Sequence, residues 1–269
     1  MGYQYVCKAN VEKTFVNGYS QVEMPLDRDF PDIQHYGIKF YRCNLKAGAT
    51  VAPQLLKDTI VLLMFNGSRA YINYGKEIFQ VSELSFFIPD FDKQAYTVGA
   101  IEDTEFIMGV FPMNDWDKKA FTHWHKHLPF FKPYTEATEY GQSCKLPGTH
   151  SWTIIQGMML GHVTVGVVRA IGAGTDEKGH PEVHQWNYCL PGCDFSLDVE
   201  GETAEQEPGD FSFIYAGKDH KLLAKPGKEV FYVWVEYYSE DDLTVYNRAS
   251  VTNRSVKEAY DEIMTAKAK

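Results

Sequence analysis

Short apolar runs separated by Gly, Pro and Asn recur about every ten positions along much of this chain, the pattern of many short strands. Gly37 to Leu45 alternates, with Ile38, Phe40 and Arg42 on one face and Lys39, Tyr41 and Cys43 on the other. Thr59 to Phe65 is continuously apolar and stops at Asn66-Gly67, a strong turn signal. Arg69 to Tyr74, Leu84 to Pro89 and Glu105 to Phe111 complete a first set of strands. The rhythm resumes at Val163 to Ala170, Phe195 to Val199 and Glu229 to Tyr238. Between the two sets, Asp117 to Leu128 reads as a helix capped by Asn114 or Asp115 and ended before Pro129. Residues 129–134 and 146–148 read as linker, and 254–267 as a short C-terminal helix with Ser255 as its N-cap. Residues 1–35 show no strong period, and 24–27 and 29–32 read as turns. Regularly spaced strands with Gly and Pro turns predict an all-β barrel or sandwich.

Composition narrows the classes. The 269 residues suffice for one large or two ordinary domains. A net charge of −10 argues against a nucleic-acid footprint, which needs a basic face. No apolar run is long enough to span a bilayer, so no membrane partner is expected. The five Cys are odd in number and form no C-x2-C pair. Reduced thiols in a cytoplasmic protein are the expectation.

One stretch gathers metal-capable side chains more densely than any other. It is Gly179 to Gly192, with His180, Glu182 and His184 at alternate positions; His220 follows after Pro208 to Ile214. On an extended strand the three alternate residues would share a face. Imidazole and carboxylate suit Mn, Fe, Co, Ni or Zn. His123, His125 and His127 are also closely spaced, but on a helix they point to different faces and cannot converge on one ion. Trp186, Tyr188, Phe211, Phe213, Tyr232 and Trp234 are candidate cavity walls, with core packing as their default role.

This stretch resembles the two signature motifs of the cupin superfamily. "HPEVHQWNYCLPG" resembles the first motif from its second His onward, and "GDFSFIYAGKDH" the second up to its His. Counted back from Gly192, the first His position holds Lys178 and the Glu position holds Gln185; the second motif lacks its Pro and Asn. The resemblance implies two tandem jelly-roll-like cupin β-barrels with a short inter-barrel helix and a C-terminal helix. The implied division is a first barrel over 1–113, helix and linker over 114–150, a second barrel over 151–253 and a helix over 254–269. The two halves overlay at an offset of about 125, matching Gly67 to Gly192, Thr59 to His184 and Gln94 to His220. The first barrel thus has no good ligand set and is expected to lack metal.

His180, Glu182, His184, Gln185 and His220 are the expected metal ligands, and Glu182 and Tyr188 the expected catalytic residues. Glu182-Val183-His184 is similar to the Glu-x-His of ureidoglycine aminohydrolase-type bicupins, whose next ligand position falls on Tyr188. "HPEVHQWNY" also resembles the oxalate decarboxylase motif, with its first His and its ligand Glu altered here. The resemblance implies a metal-dependent enzyme, homodimeric as bicupins often are. It would act on a small polar, carboxylate-bearing metabolite by aminohydrolase-, decarboxylase-, isomerase- or dioxygenase-type chemistry. The alternative is a non-catalytic small-ligand-binding or sensing protein, motivated by Lys178 and Gln185. A storage role ranks last.

Overall fold

The computed structural model describes residues 4–8, 12–24, 35–124, 126–157, 159–241 and 250–268. The turns expected at 24–27 and 29–32 fall largely outside them, as do His125 and the side chain of Ser255. Among the described residues no helix is long and apolar enough to cross a membrane.

In chain order the strands begin with β1 (Gln4–Cys7), β2 (Tyr19–Glu23), β3 (Lys39–Leu45), β4 (Thr50–Val51), β5 (Thr59–Asn66) and β6 (Ala70–Tyr74). They continue with β7 (Glu77–Val81), β8 (Leu84–Ile88), β9 (Tyr96–Ala100) and β10 (Thr104–Pro112). Helix α1 (Asp115–Trp124) follows, then β11 (Phe130–Pro133), β12 (Thr138–Gly141) and β13 (Thr149–Ile155). The second set is β14 (Val163–Ile171), β15 (Gly174–Glu177), β16 (Val183–Cys189), β17 (Phe195–Val199) and β18 (Glu202–Gln206). The chain closes with β19 (Phe211–Ile214), β20 (His220–Leu223), β21 (Glu229–Tyr238), β22 (Ser250–Ser255) and helix α2 (Val256–Lys267).

The chain divides into Val11–Tyr134 and a second unit of Met1–Asn10 with Thr135–Lys269. This corrects the division expected from sequence. β1 hydrogen-bonds to β19 and joins the second unit, while β11, read as linker, pairs with β8 in the first. Each covers a strand edge that would otherwise expose unpaired backbone groups.

The first unit packs a sheet ordered β11-β8-β5-β10-β3-β2 against one ordered β4-β9-β6-β7. The second repeats the plan, with β1-β19-β16-β21-β14-β13-β12-β22 against β15-β20-β17-β18. The architecture is all-β, two barrel-like sandwiches with the α-helix α1 mid-chain and the α-helix α2 near the end.

The first barrel is filled by apolar side chains, among them Val61, Leu63 and Phe65 of β5, Tyr96 and Val98 of β9, and Met108 and Val110 of β10. Asn114 caps α1 as expected: its Oδ1 accepts from the Asp117 amide (2.8 Å) and the Asp117 carboxylate accepts from the Asn114 amide (2.8 Å). The helix ends at Trp124, four residues earlier than the sequence pattern predicts.

In the second barrel, Val168, Ala170, Cys189, Ile214, Val230, Tyr232 and Trp234 of the large sheet meet Phe195, Leu197, Val199 and Leu222 of the small one. That contact defines the inner face. On the other face, α2 buries Val256, Ala259 and Ile263, one helical stripe. His150 Nδ1 lies 2.7 Å from Glu139, and its Nε2 lies 3.6 Å from Glu262 of α2.

Gly166 on β14 sits opposite Trp234 of β21. A Cβ there would lie 2.2 Å from the indole and 2.5 Å from the Trp152 carbonyl oxygen. Gly166→Ala is therefore expected to destabilise the chain by about 1–3 kcal/mol, as overpacking does. The readout is a lower urea midpoint at unchanged slope. A wild-type midpoint would show that Trp234 yields freely.

Candidate functional site

Side-chain direction on β16 sorts the expected site residues. Cys189 belongs to the inner cluster, so alternation places Asn187 and Gln185 on the inner face and His184, Trp186 and Tyr188 on the outer. Gln185 Nε2 donates to Asn187 Oδ1 at 2.8 Å, as two same-face neighbours can. His184 is buried on the opposite side, stacked on Phe213 (6.1 Å) and edge-on to Tyr215 (5.2 Å). Tyr188, 1% exposed, packs near Phe211 on that same side. The expected convergence of His184 with Gln185, and a role for Tyr188 in the barrel interior, are corrected by this parity.

His180 and Glu182 do not lie on a strand. They belong to the turn between β15 and β16, where the His180 carbonyl accepts from the Gly217 amide (2.7 Å) and the Glu182 carbonyl from the Ser239 amide (2.8 Å). Gly179 makes this crossing fit, since a Cβ there would stand 2.3 Å from Gly217 backbone. Lys178, at the position of the missing motif His, points outward and pairs with Asp219. The His180 side chain is exposed.

His220 does reach the inner face. It opposes Val199 of β17 and Glu177 of β15 in the ladder. Its Nδ1 donates to the Lys218 carbonyl oxygen at 2.9 Å, which leaves the Nε2 lone pair buried with no partner.

Around it stands a group that the motif comparison missed. Lys145 Nζ lies 3.1 Å from Glu177 Oε1 inside the barrel, with side-chain exposures of 8% and 12%. Glu236 of β21 faces Gln185 across the ladder and accepts from the Tyr238 hydroxyl at 3.4 Å. Glu177 and Glu236 keep some accessible surface although they point inward.

The ionisation states follow from these neighbours. Burial alone would raise the Glu177 carboxyl, but Lys145, His220 and His180 hold it down at about 2. Burial would lower the Lys145 ammonium, and Glu177 with the Tyr140 and Tyr232 phenols raises it well above the ordinary range. Glu236 is pushed up to about 7 by burial and by the Glu177 charge, against the opposing pull of Lys145 and the Tyr238 hydroxyl. Burial and the Glu236 carboxylate raise the Tyr238 phenol. The interior thus holds one fixed ion pair and one carboxyl that exchanges its proton near neutrality.

The ladders show what the first barrel has at these places. Phe65 faces Phe106 as Cys189 faces Tyr232, so Val61 and Val110 stand where Gln185 and Glu236 stand. Tyr74 and Tyr96 pair as Val199 and His220 do. Tyr96, not Gln94, therefore matches His220, and Ile60, not Thr59, matches His184. The first barrel is apolar at the positions that carry charge in the second.

Comparison with known proteins identifies the fold. No protein-family model matches the sequence, and no curated protein matches it. A putative glyoxylate-induced protein from Pseudomonas aeruginosa superposes with TM-score 0.65 at 12% identity, over 85% of this chain and 84% of that one. Protein Ylba from E. coli does so with TM-score 0.65 at 11% identity, over 90% and 93%. Oxalate decarboxylase from Lactobacillus farciminis, in a formate complex, gives 0.65 at 11% identity, over 96% and 89%. The chain has the two-barrel, bicupin-like fold of these solved structures.

That fold raises the question of a metal. Oxalate decarboxylase of Bacillus subtilis, similar at 13% identity with TM-score 0.61, has Mn(II) centres. Here the donors do not fit a resident divalent ion. Among the described residues no three His, Cys, Asp or Glu side chains converge, where a metal site ordinarily takes three or four. The carboxylate beside His220 already faces the Lys145 ammonium, which would repel a second cation.

Glu236 makes stability fall with alkali. Its folded pKa of about 7 exceeds the ordinary 4.5, so the folded chain holds a proton that the unfolded chain releases, and stability declines as pH rises from 4.5 through 7. Glu177, at about 2, acts oppositely: its contribution is present above 4.5 and is lost as pH falls towards 2. Glu236→Gln is expected to remove about 2–3 kcal/mol of the decline between pH 5 and 8, measured by urea unfolding across that range. A variant with the wild-type pH profile would contradict this placement.

Proposed function

We propose that the second barrel binds and transforms a small polar metabolite, and that it does so by side-chain proton transfer without a divalent metal. The observation that carries this reading is Glu236, a partly accessible inward carboxyl held at about 7. A proton-transfer group is most effective when its pKa lies near the working pH. The unpartnered Nε2 of His220 is a second acceptor in the same interior. Gln185 and Tyr238 flank Glu236 and supply hydrogen bonds for orientation.

Charge balance bears on the substrate. Glu177 and Glu236 outnumber Lys145, and Lys145 is already paired. A carboxylate-bearing molecule would add like charge to this interior, whereas a neutral or amine-bearing one would not. Amides, ureido compounds and amino compounds therefore rank above simple dicarboxylates. The free thiols of Cys43, Cys144, Cys189 and Cys193 accord with the cytoplasmic setting we also propose.

A metal-dependent bicupin enzyme using Mn, Fe, Ni, Co or Zn is the second reading. The lone pair of His220 favours it, because the Lys218 carbonyl fixes the tautomer that a metal ligand needs. A non-catalytic ligand-binding barrel is the third.

One experiment separates the three. Exhaustively chelated protein is screened for thermal stabilisation and turnover against small amides, ureido compounds, amino compounds and carboxylates, with metal content measured in parallel. We expect metal well below one ion per chain and turnover that survives chelation. Glu236→Gln should keep binding while kcat falls at least 100-fold, the typical scale of general acid–base catalysis. Near-stoichiometric metal that disappears in His180→Ala and His220→Ala would establish the second reading instead. Binding without turnover in the wild type would establish the third.

A further inference from the structure

We propose that the second barrel recognises a planar N–H donor group carrying one positive charge, an amidinium or guanidinium, and that Glu177 and His220 receive it as a pair of adjacent acceptors. The inference deepens the proposed function by naming the ligand class, and it rests on the metal-free reading of this barrel.

The ladder between β15 and β20 sets the two acceptors side by side. Glu177 and His220 are directly opposed across it, on the face where Leu222 joins the core. The Cβ atoms of residues so opposed lie about 4.5–5.5 Å apart. His220 Nδ1 donates to the Lys218 carbonyl (2.9 Å), so the neutral ring presents Nε2 as a lone pair only. That nitrogen is buried and has no partner. A buried acceptor without a donor carries a cost, and an N–H from a ligand removes it. Glu177 accepts from Lys145 through Oε1 at 3.1 Å. A carboxylate offers about four lone-pair positions, so this bond leaves Glu177 with acceptor capacity, and its side chain keeps 12% exposure.

The facing sheet adds further acceptors. Gln185 spends its Nε2 on Asn187 Oδ1 (2.8 Å) and keeps Oε1 to accept. Asn187 is itself fully buried, with its Nδ2 3.5 Å from Ser212 Oγ. Glu236 stands opposite Gln185 on the same face. An interior that accepts at several points suits a group that only donates, and an amidinium or guanidinium has no acceptor. A carboxamide or urea brings a carbonyl oxygen that would need donors of its own. Charge points the same way. Glu177 and Glu236 bring two carboxyls inward and Lys145 one ammonium, so one further positive charge balances them. A planar cation with its N–H bonds fixed in a fork meets two acceptors at once, whereas an ammonium acts as a point charge. In the first barrel the positions of Gln185, Glu236 and His220 hold Val61, Val110 and Tyr96, all of its apolar core, so binding is expected in the second barrel alone.

The test titrates full-length wild type and His220→Leu with methylguanidinium, acetamidinium, N-methylurea, methylammonium and acetate by isothermal calorimetry, with circular dichroism to verify folding. Wild type is expected to bind methylguanidinium and acetamidinium at one site per chain. N-methylurea, which has the shape without the charge, and methylammonium, which has the charge without the fork, should each bind about 10-fold more weakly or worse. Acetate should not bind. His220→Leu should weaken methylguanidinium by about 10-fold or more, the usual scale for a hydrogen bond to a charged group. In nitrogen NMR of the wild type, methylguanidinium should move the Nε2 resonance of His220, and this measurement decides if His220→Leu does not fold. Methylguanidinium that fails to bind overturns the inference. So does equal binding of N-methylurea or methylammonium, or a His220 resonance that stays in place at saturation. Near-stoichiometric metal in the wild type would instead remove the metal-free reading on which it rests, so the two failures are distinguishable.

Discussion

The ion pair between Lys145 and Glu177 is the constraint on which the second barrel depends. Two charges withdrawn from water each carry a desolvation penalty of several kcal/mol, and their attraction offsets it only when the geometry is good. The 3.1 Å contact meets that condition. Removing either partner of such a pair strands the other, at a typical loss of about 3–5 kcal/mol. Much of the nearby structure positions the two. The stitched loop delivers the lysine, the β15–β20 ladder sets Glu177 against His220, and the Tyr140 and Tyr232 phenols bring further acceptor groups near the ammonium. The pair also tunes what lies beyond it. Glu177 must remain ionised to raise Glu236, and Lys145 limits how far that rise goes.

The two barrels show how one scaffold carries two different interiors. Their strand orders correspond apart from β12 and β22, which extend the second unit's large sheet, yet their interiors differ at matched positions. Val61 and Val110 in one barrel stand where Gln185 and Glu236 stand in the other. Aliphatic side chains there fill the interior and need no partners. Polar ones must find partners or leave a cost, and His220 Nε2 is left with capacity that a ligand can use. The low identities to solved bicupins are consistent with this view: the fold persists at 11–13% identity, while the site does not follow from it.

Most of the fold was legible in the sequence because strand alternation and turn residues are local signals. Thr59 to Phe65, Phe195 to Val199 and Glu229 to Tyr238 read as strands and are strands. The strands β1, β11 and β12 were not legible, since each pairs with a segment far away or lacks alternation. In the site, His220 and Gln185 were found on the inner face, but the register of β16 was not. The strand starts at Val183, after His180 and Glu182, and only the cross-strand partners show that His184 faces away. Lys145 and Glu177 were missed for a different reason. They lie 32 positions apart in segments without motif spacing, and Glu236 looks like one polar break in an aromatic strand. A signal did exist: in Glu229 to Tyr238, Glu236 falls two residues from Trp234 and so shares the face of a core residue.

An ammonium in a barrel interior offers different chemistry from a divalent ion. A metal with open coordination positions polarises a bound carbonyl or activates water. A primary ammonium held by a carboxylate has no comparable Lewis acidity, and its charge is largely neutralised by its partner. What it can do is set the proton affinity of nearby groups. Here that influence falls on Glu236, which is drawn up by Glu177 and partly restrained by Lys145 until it lies near neutrality. That influence is the basis of the proposed proton transfer at a small, polar, uncharged or amine-bearing molecule, with Gln185 and Tyr238 for orientation and His220 as a second acceptor.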